Sequence, residues 1–227
     1  MKFKALCIAL ILGCVTGYAA EKKNRVQLDR YAAANSELVT PVYTVLLGNS
    51  ITDAWPGMRP DFFKNNGLVG RGISGQTTYE FLQRFRADVV KLQPEIVVIN
   101  GGTNDVAENS CSYDEEATLD NLISMVDIAK ANGIKVILTS VLPAAQFPWN
   151  KSITDSADKI LALNKRIKAY ADSIGVPYVD YYPALVDTDG RTLNPKYSGD
   201  GVHPNPEGYA VMESILLPVI KSRSNKK

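Results

Sequence analysis

The strongest constraint on the fold is an alternation of two apolar spacings along the chain. Runs rich in Val, Ile and Leu at residues 42–47, 68–72, 95–100, 134–140 and 177–181 have the length and composition of strands buried on both faces. Between them, apolar residues recur at helical spacing. Phe81, Leu82, Phe85, Val89 and Leu92 mark residues 77–92, and Leu119, Leu122, Ile123, Val126 and Ala129 mark 113–132. Ile160, Leu163, Ile167 and Ala171 mark 155–174, and residues 207–222 supply a last helix. Pro94, Gly133 and Gly175 stand where the first three must stop. Strands alternating with helices predict an α/β domain, a parallel sheet covered on both faces. With 227 residues, 45% hydrophobic and 22% charged, the chain suits one domain with a sizeable core, and disordered, collagen-like and channel classes are excluded. No internal repeat or linker divides it.

The first 20 residues read as an export signal: Lys2 and Lys4, an apolar run at 5–12 too short to span a bilayer, and small residues at 17–20. Two processings fit this leader. One is cleavage near Ala19 or Ala20; the other is lipidation of Cys14, since residues 11–14 resemble a lipoprotein signal, with Leu12 a poor match to it. The chain is therefore expected in the periplasm or outside the cell, with a membrane anchor only if Cys14 is lipidated. Residues 21–41 form a polar lead-in with room for one helix, 42–222 the domain, and 223–227 a basic tail. Cys7 and Cys14 lie in the leader, so Cys111 is left as the one thiol of the mature domain, without a disulfide partner. It is expected as a small, partly buried side chain with nothing nearby to activate a thiolate. Loss of residues 1–20 removes two lysines and no acid, leaving 23 Lys+Arg against 24 Asp+Glu. That balance offers no positive surplus to a phosphate backbone, which argues against nucleic acid as a partner.

In a parallel sheet of this kind, ligands bind in the crevice beyond the carboxyl ends of the strands. The segments there are Gly48-Asn49-Ser50-Ile51-Thr52, Gly72-Ile73-Ser74-Gly75-Gln76-Thr77 and Gly101-Gly102-Thr103-Asn104-Asp105, with Asp200-Gly201-Val202-His203-Pro204 before the last helix. Taken singly, each has an ordinary structural explanation: a serine or asparagine caps a turn, an aspartate caps a loop, a lone histidine packs or is exposed. Together they supply a nucleophile, a base, an acid to hold that base, and donors for an oxyanion. His203 is the only histidine of the chain, and the Asp-x-x-His spacing lets one short turn present both side chains. Gly75 serves either as a turn residue with positive φ or as a donor needing close approach. Asp105 reads as a residue that fixes the loop after the third strand.

These blocks resemble those of the GDSL esterases, also called SGNH hydrolases, in the branch similar to platelet-activating-factor acetylhydrolases and bacterial carbohydrate acetylesterases. The resemblance runs from about residue 42 to residue 217. It implies a three-layer α/β/α fold with a five-stranded parallel sheet in flavodoxin-like strand order. It also implies Ser50 as nucleophile, Asp200 and His203 as the rest of the triad, and an oxyanion hole made by the backbone N–H groups of Ser50 and Gly75 and the side-chain amide of Asn104. One position departs from the pattern: the residue before the nucleophile, usually Asp, is Asn49. Asparagine keeps the shape and hydrogen-bonding capacity of the turn and loses its charge.

The function these features imply is a serine esterase acting through an acyl-enzyme on short-acyl esters, acetyl above all, carried by a carbohydrate or glycan. Two alternatives stand beside it: a lipid ester hydrolase of lysophospholipase or thioesterase type, and an idle carbohydrate-binding domain that keeps the scaffold. A flavodoxin-like cofactor binder is disfavoured, because residues 48–52 hold one glycine and no phosphate-cradling loop. Trp55, Tyr79, Phe147 and Trp149 are candidates for an apolar or sugar-stacking wall, and the 144–154 loop is the segment that could border a substrate. No cofactor or metal is expected, since one histidine and one mature thiol offer no zinc cluster and no carboxylate run has calcium-loop spacing.

Overall fold

The structure, a computed structural model, describes residues 24–224. The leader at 1–20 with Cys7 and Cys14, and residues 225–227 of the basic tail, lie outside the described residues. Five strands, β1 Thr44–Gly48, β2 Leu68–Gly72, β3 Ile96–Asn100, β4 Lys135–Thr139 and β5 Tyr178–Val179, form one sheet in the order β2-β1-β3-β4-β5. Every pairing is parallel. The helices are α1 Ala32–Ser36, α2 Ser50–Met58, α3 Pro60–Asn66, α4 Thr78–Asp88, α5 Thr103–Val106, α6 Glu115–Ala131, α7 Ser156–Ile174, α8 Tyr182–Leu185 and α9 Pro206–Arg223. Among the described residues no helix is long and apolar enough to cross a membrane.

Two cores result from the period-two geometry of the strands. Val45 and Leu47 of β1, with Val97 and Ile99 of β3, pack against Phe81 and Phe85 of α4, Leu122 and Val126 of α6, and Leu163 and Ile167 of α7. Leu46 of β1, with Ile96 and Val98 of β3, packs on the other face against Trp55 of α2, Phe63 of α3, and Met212 and Leu216 of α9. Burial on both sides explains the unbroken apolar runs in β1 and β3, which are buried at every residue. The result is the expected three-layer α/β domain.

Several stretches differ from the sequence reading, among them the strand expected over 177–181, which is only Tyr178–Val179, and the short helices α5 and α8, which were not expected. The helix expected over 77–92 ends at Asp88 and tightens into a 3-10 turn, Val90–Leu92, where the Leu92 carbonyl accepts Val42 N–H at 3.2 Å. Residues 50–66, given no helix from their sequence, fold as α2 and α3, because their helical spacing is masked by two prolines. Pro60 occupies the first turn of α3, where its missing N–H costs nothing, and Pro56 lies inside α2 with its ring over Gly70 of β2.

The carboxyl ends of β1 and β2 are joined by a buried cation. Arg84 of α4 is 0% exposed and donates from Nη2 to the Gly48 carbonyl at 2.9 Å and from Nη1 to the Arg71 carbonyl at 2.9 Å. Its Nε reaches Gln76 Oε1 at 2.6 Å, and Nη1 pairs with Asp88 at 3.0 Å. Burial lowers the arginine's pKa and Asp88 opposes that shift, so the group stays charged. Replacing it by an uncharged side chain would leave the Arg71 carbonyl, Gln76 Oε1 and Asp88 Oδ2 without this donor, although the Gly48 carbonyl keeps Ile73 N–H at 3.0 Å and Asp88 Oδ1 keeps Asn35 Nδ2 at 3.1 Å. Arg84→Met is expected to lose about 3–5 kcal/mol of stability in equilibrium urea unfolding; a loss below about 1 kcal/mol would show that the network can close without its centre.

Candidate active site

β1, β2 and β3 end level with one another, Gly48 opposite both Gly72 and Asn100, so their following loops open side by side. The chain turns sharply from β1 into α2. Asn49 caps that helix, its Oδ1 accepting Ile51 N–H at 3.0 Å, and Ser50 is the first helical residue. The turn needs glycine beneath it. A Cβ at Gly48 would stand 2.1 Å from Thr52 Oγ1, and one at Gly72 would stand 2.1 Å from the backbone nitrogen of Asp53. The first turn of α2 thus lies flush on two strand ends. Asn49 makes the expected turn through its oxygen, while its buried Nδ2 has no partner among the described residues.

Ser50 Oγ lies 2.8 Å from His203 Nε2, and His203 Nδ1 lies 2.6 Å from Asp200 Oδ2. The loop carrying the last two residues is held from within. Asp200 Oδ1 accepts the N–H groups of Val202 at 2.9 Å and His203 at 2.8 Å, Gly201 takes φ +78°, and Val202 is buried in the core. Asn205, two residues after the histidine, caps α9 through Gly208 N–H at 2.9 Å. Burial pushes the Asp200 carboxyl up, but the His203 backbone N–H, its ring and the Val202 N–H outweigh this and hold it at about 2. An ionised carboxylate can only accept, so Nδ1 carries the hydrogen and Nε2 is left to accept the serine hydroxyl.

The loop after β2 is anchored by several segments distant in sequence. Ser74 donates N–H and Oγ–H to Asp53 of α2 at 3.2 and 2.8 Å. Gly75 has φ +79°, and its carbonyl accepts Arg25 Nη2 and Asn109 Nδ2, each at 3.2 Å. Gln76 donates Nε2 to the carbonyls of Arg25 at 2.7 Å and Val26 at 3.0 Å. Thr77 and Glu80 form a capping box at the start of α4. The lead-in is therefore part of the site's scaffold: besides Arg25, Tyr31 donates to the Gly72 carbonyl and Asn35 accepts Arg71 Nε at 2.8 Å.

From the third loop, Asn104 is buried and gives one amide hydrogen to the Gln76 carbonyl at 2.9 Å, which leaves its second for a ligand. The backbone N–H groups of Ser50 and Gly75 have no acceptor among the described residues. Asp105 ties this loop back to the start of α4, accepting Thr78 Oγ1–H at 2.6 Å and Thr78 N–H at 3.1 Å.

Of the four aromatic candidates, two do not form a wall. Trp55 is 3% exposed, stacks on Tyr209 and Phe62 and donates Nε1–H to Glu213 at 3.1 Å, because α2 turns it toward α9. Phe147 is fully buried, while Tyr79 and Trp149 are exposed. Cys111 is exposed rather than partly buried, in the loop before α6. Sequence reading also passed over Arg25, Asp53, Glu80, Arg84 and Asn109. Of these only Glu80 left a local signal, the Thr-x-x-Glu of its capping box.

A serine, a histidine and an aspartate thus lie in one hydrogen-bonded line beyond the strand ends of a parallel sheet. Residues 46–211 match the model of the GDSL-like Lipase/Acylhydrolase family, and the chain belongs to that family. The crystal structure of a GDSL-like lipase from Bacteroides thetaiotaomicron is similar at TM-score 0.86 and 52% identity, over 88% of this chain and 100% of that one. An acetylxylan esterase of Xylanibacter ruminicola is 27% identical over 210 residues, 77% of this chain and 42% of that protein. A lipoprotein of Bacillus subtilis is 26% identical over 172 residues, 65% of this chain and 71% of that protein. The chain spans less than half the length of two of the curated relatives it matches.

Asp105 gives the site a measurable pH signature. Burial raises its carboxyl to about 6 against the opposing hydrogen bonds from Thr78. Between about pH 4 and 6 the folded chain binds a proton that the unfolded chain has released, so this residue favours folding below that window and the contribution is lost as pH rises through it. The stability difference between wild type and Asp105→Asn, followed by urea midpoints from pH 4 to 7, should therefore slope downward with pH. A constant offset would mean that Asp105 does not titrate there.

Proposed function

We propose that this protein is a serine ester hydrolase that removes short acyl groups, acetyl above all, from a carbohydrate or glycan through an acyl-enzyme. The observation that carries the reading is the Ser50–His203–Asp200 line, with links of 2.8 and 2.6 Å. Ser50 Oγ attacks the ester carbonyl as its proton passes to His203 Nε2, and Asp200 orients the ring and stabilises the imidazolium. The oxyanion is received by the backbone N–H groups of Ser50 and Gly75 and by the free amide hydrogen of Asn104, with the N-terminal end of α2 adding its partial positive charge. The tetrahedral intermediate collapses, His203 returns the proton to the departing alcohol, and the acyl group stays on Ser50. Water then repeats the sequence, with His203 as base, and releases the acid and free serine.

An open site supports a bulky alcohol over a long acyl chain. The side chains of His203 and Asp200 are 34% and 43% exposed, and the 144–154 loop beside them is pinned, with Asn150 Nδ2 on the Ala107 carbonyl at 3.0 Å and Ser156 Oγ on the Ala144 carbonyl at 2.9 Å. Similarity to an acetylxylan esterase supports the acetyl and carbohydrate halves of the reading. The leader and the similarity to a lipoprotein support export.

Hydrolysis of 4-nitrophenyl acetate, butyrate and octanoate at neutral pH tests the reading. Acetate should be cleaved fastest, and Ser50→Ala should lose at least about 10³-fold in kcat. Faster cleavage of octanoate would favour a lipid ester hydrolase, and no turnover of any ester would favour the idle binding domain. Asn104→Ala should lower kcat by roughly 100-fold or more with KM little changed; a rise in KM at constant kcat would make Asn104 a substrate-positioning group instead.

A further inference from the structure

We propose that the exposed face of Trp149 is the platform on which the alcohol part of the substrate, a pyranose ring bearing the acyl ester, is seated beside His203. The inference rests on the ester-hydrolase reading and adds to it a residue and a ligand chemistry. Trp149 is 46% exposed, yet it is held on three sides. Its ring leans on buried Phe147, with centroids 5.3 Å apart and planes tilted 37°. Its Nε1–H donates to Asn109 Oδ1 at 2.8 Å, and Asn109 Nδ2 in turn donates to the Gly75 carbonyl at 3.2 Å. Its third neighbour is the His203 imidazole, 6.0 Å away between centroids and tilted 40°.

These contacts decide what the indole can offer. Its one polar group is already given to Asn109, so the exposed part presents only a π-face. That face is immobilised before any ligand arrives, which removes the ordering cost that a free tryptophan would carry on binding. Its place decides which half of the substrate it meets. The departing alcohol oxygen must take its proton from His203 Nε2, so the carbon skeleton bonded to that oxygen lies within reach of a ring whose centre is 6.0 Å from the imidazole. A pyranose suits this surface: one side of the ring is a row of C–H groups that packs on an aromatic face, while its hydroxyls stay at the rim. The rim is polar, since Arg25 and Asn109 meet at the Gly75 carbonyl and Arg25 Nη2 also reaches Ser110 Oγ at 2.9 Å. A lipid chain would find no use for those groups.

The test compares an acetylated xylo-oligosaccharide with ethyl acetate, whose alcohol is too small to cover the indole, and with phenyl acetate. In Trp149→Ala the ratio of kcat/KM for the sugar ester to that for ethyl acetate should fall roughly 10-fold or more, chiefly through KM. Trp149→Phe, which keeps an aromatic face and guards against a folding defect in the alanine variant, should retain part of the ratio. An unchanged ratio, or equal losses on both esters, would reduce Trp149 to a prop for His203 and overturn the proposal. A loss on phenyl acetate as large as on the sugar would assign the platform to aromatic alcohols and overturn the pyranose. Should the wild type cleave none of the three, the hydrolase reading falls while the platform is still tested by binding. The chain has two tryptophans and Trp55 is buried, so Ser50→Ala titrated with the acetylated xylo-oligosaccharide should change its indole emission through Trp149. A flat titration would sink the platform on its own.

Discussion

The guanidinium of Arg84, at 0% exposure, takes the carbonyls of Gly48 and Arg71 and the side chain of Gln76, and the shape of the site's edge follows from that placement. Strand ends are where a parallel sheet runs out of internal partners, and carbonyls there must find donors or remain unsatisfied. A planar cation with a fixed fork of N–H groups meets several at once, in directions that neighbouring strands and one loop must then share. The cost is a buried charge, offset by Asp88 one helical turn away. The Ser50 turn and the glycine loop are thereby referred to the same rigid group.

Gly75 shows how finely that reference is subdivided. Ser74, the residue before it, is clamped through its N–H and hydroxyl to Asp53 of α2, and the peptide after Gly75 is clamped through the Gly75 carbonyl to Arg25 and Asn109. The two clamps bracket the Ser74–Gly75 peptide, with Gly75 at φ +79°, where glycine turns without strain. The direction of the Gly75 N–H is thus set by the lead-in, the first helix after β1 and the turn after α5. Asn104, bonded to the Gln76 carbonyl, is indexed to the same loop.

The layers of the fold were legible because burial on both faces leaves unbroken apolar strands and one-sided burial leaves helical stripes. The candidate site could be proposed from the sequence for a different reason: Ser50, Gly75, Asn104, Asp200 and His203 fall in loops whose position the strands dictate, and the serine, histidine and aspartate have complementary chemistry. What holds them was not legible. Arg84 sits on the apolar face of α4 beside Phe81 and Phe85, where a local pattern gives no hint that a charge is wanted. Arg25 acts across 50 positions and Asn109 across 34, through backbone carbonyls, which carry no side-chain signature. Trp55 misled because proximity to a strand end does not say which way a helix turns its face, and two prolines hid that helix altogether.

The hydrogen bond between Ser50 and His203 joins positions 153 apart. Its two ends arrive through different parts of the chain, one at the start of α2 just after the first strand and the other beside the last helix, so a loop comprising most of the domain must close before they meet. A ribosome-bound chain therefore carries Ser50 without its His203 partner until the segment before α9 has emerged and docked. Formation of this one contact reports completion of the whole fold: any partly assembled or C-terminally clipped form that leaves α9 undocked lacks it, however native its sheet.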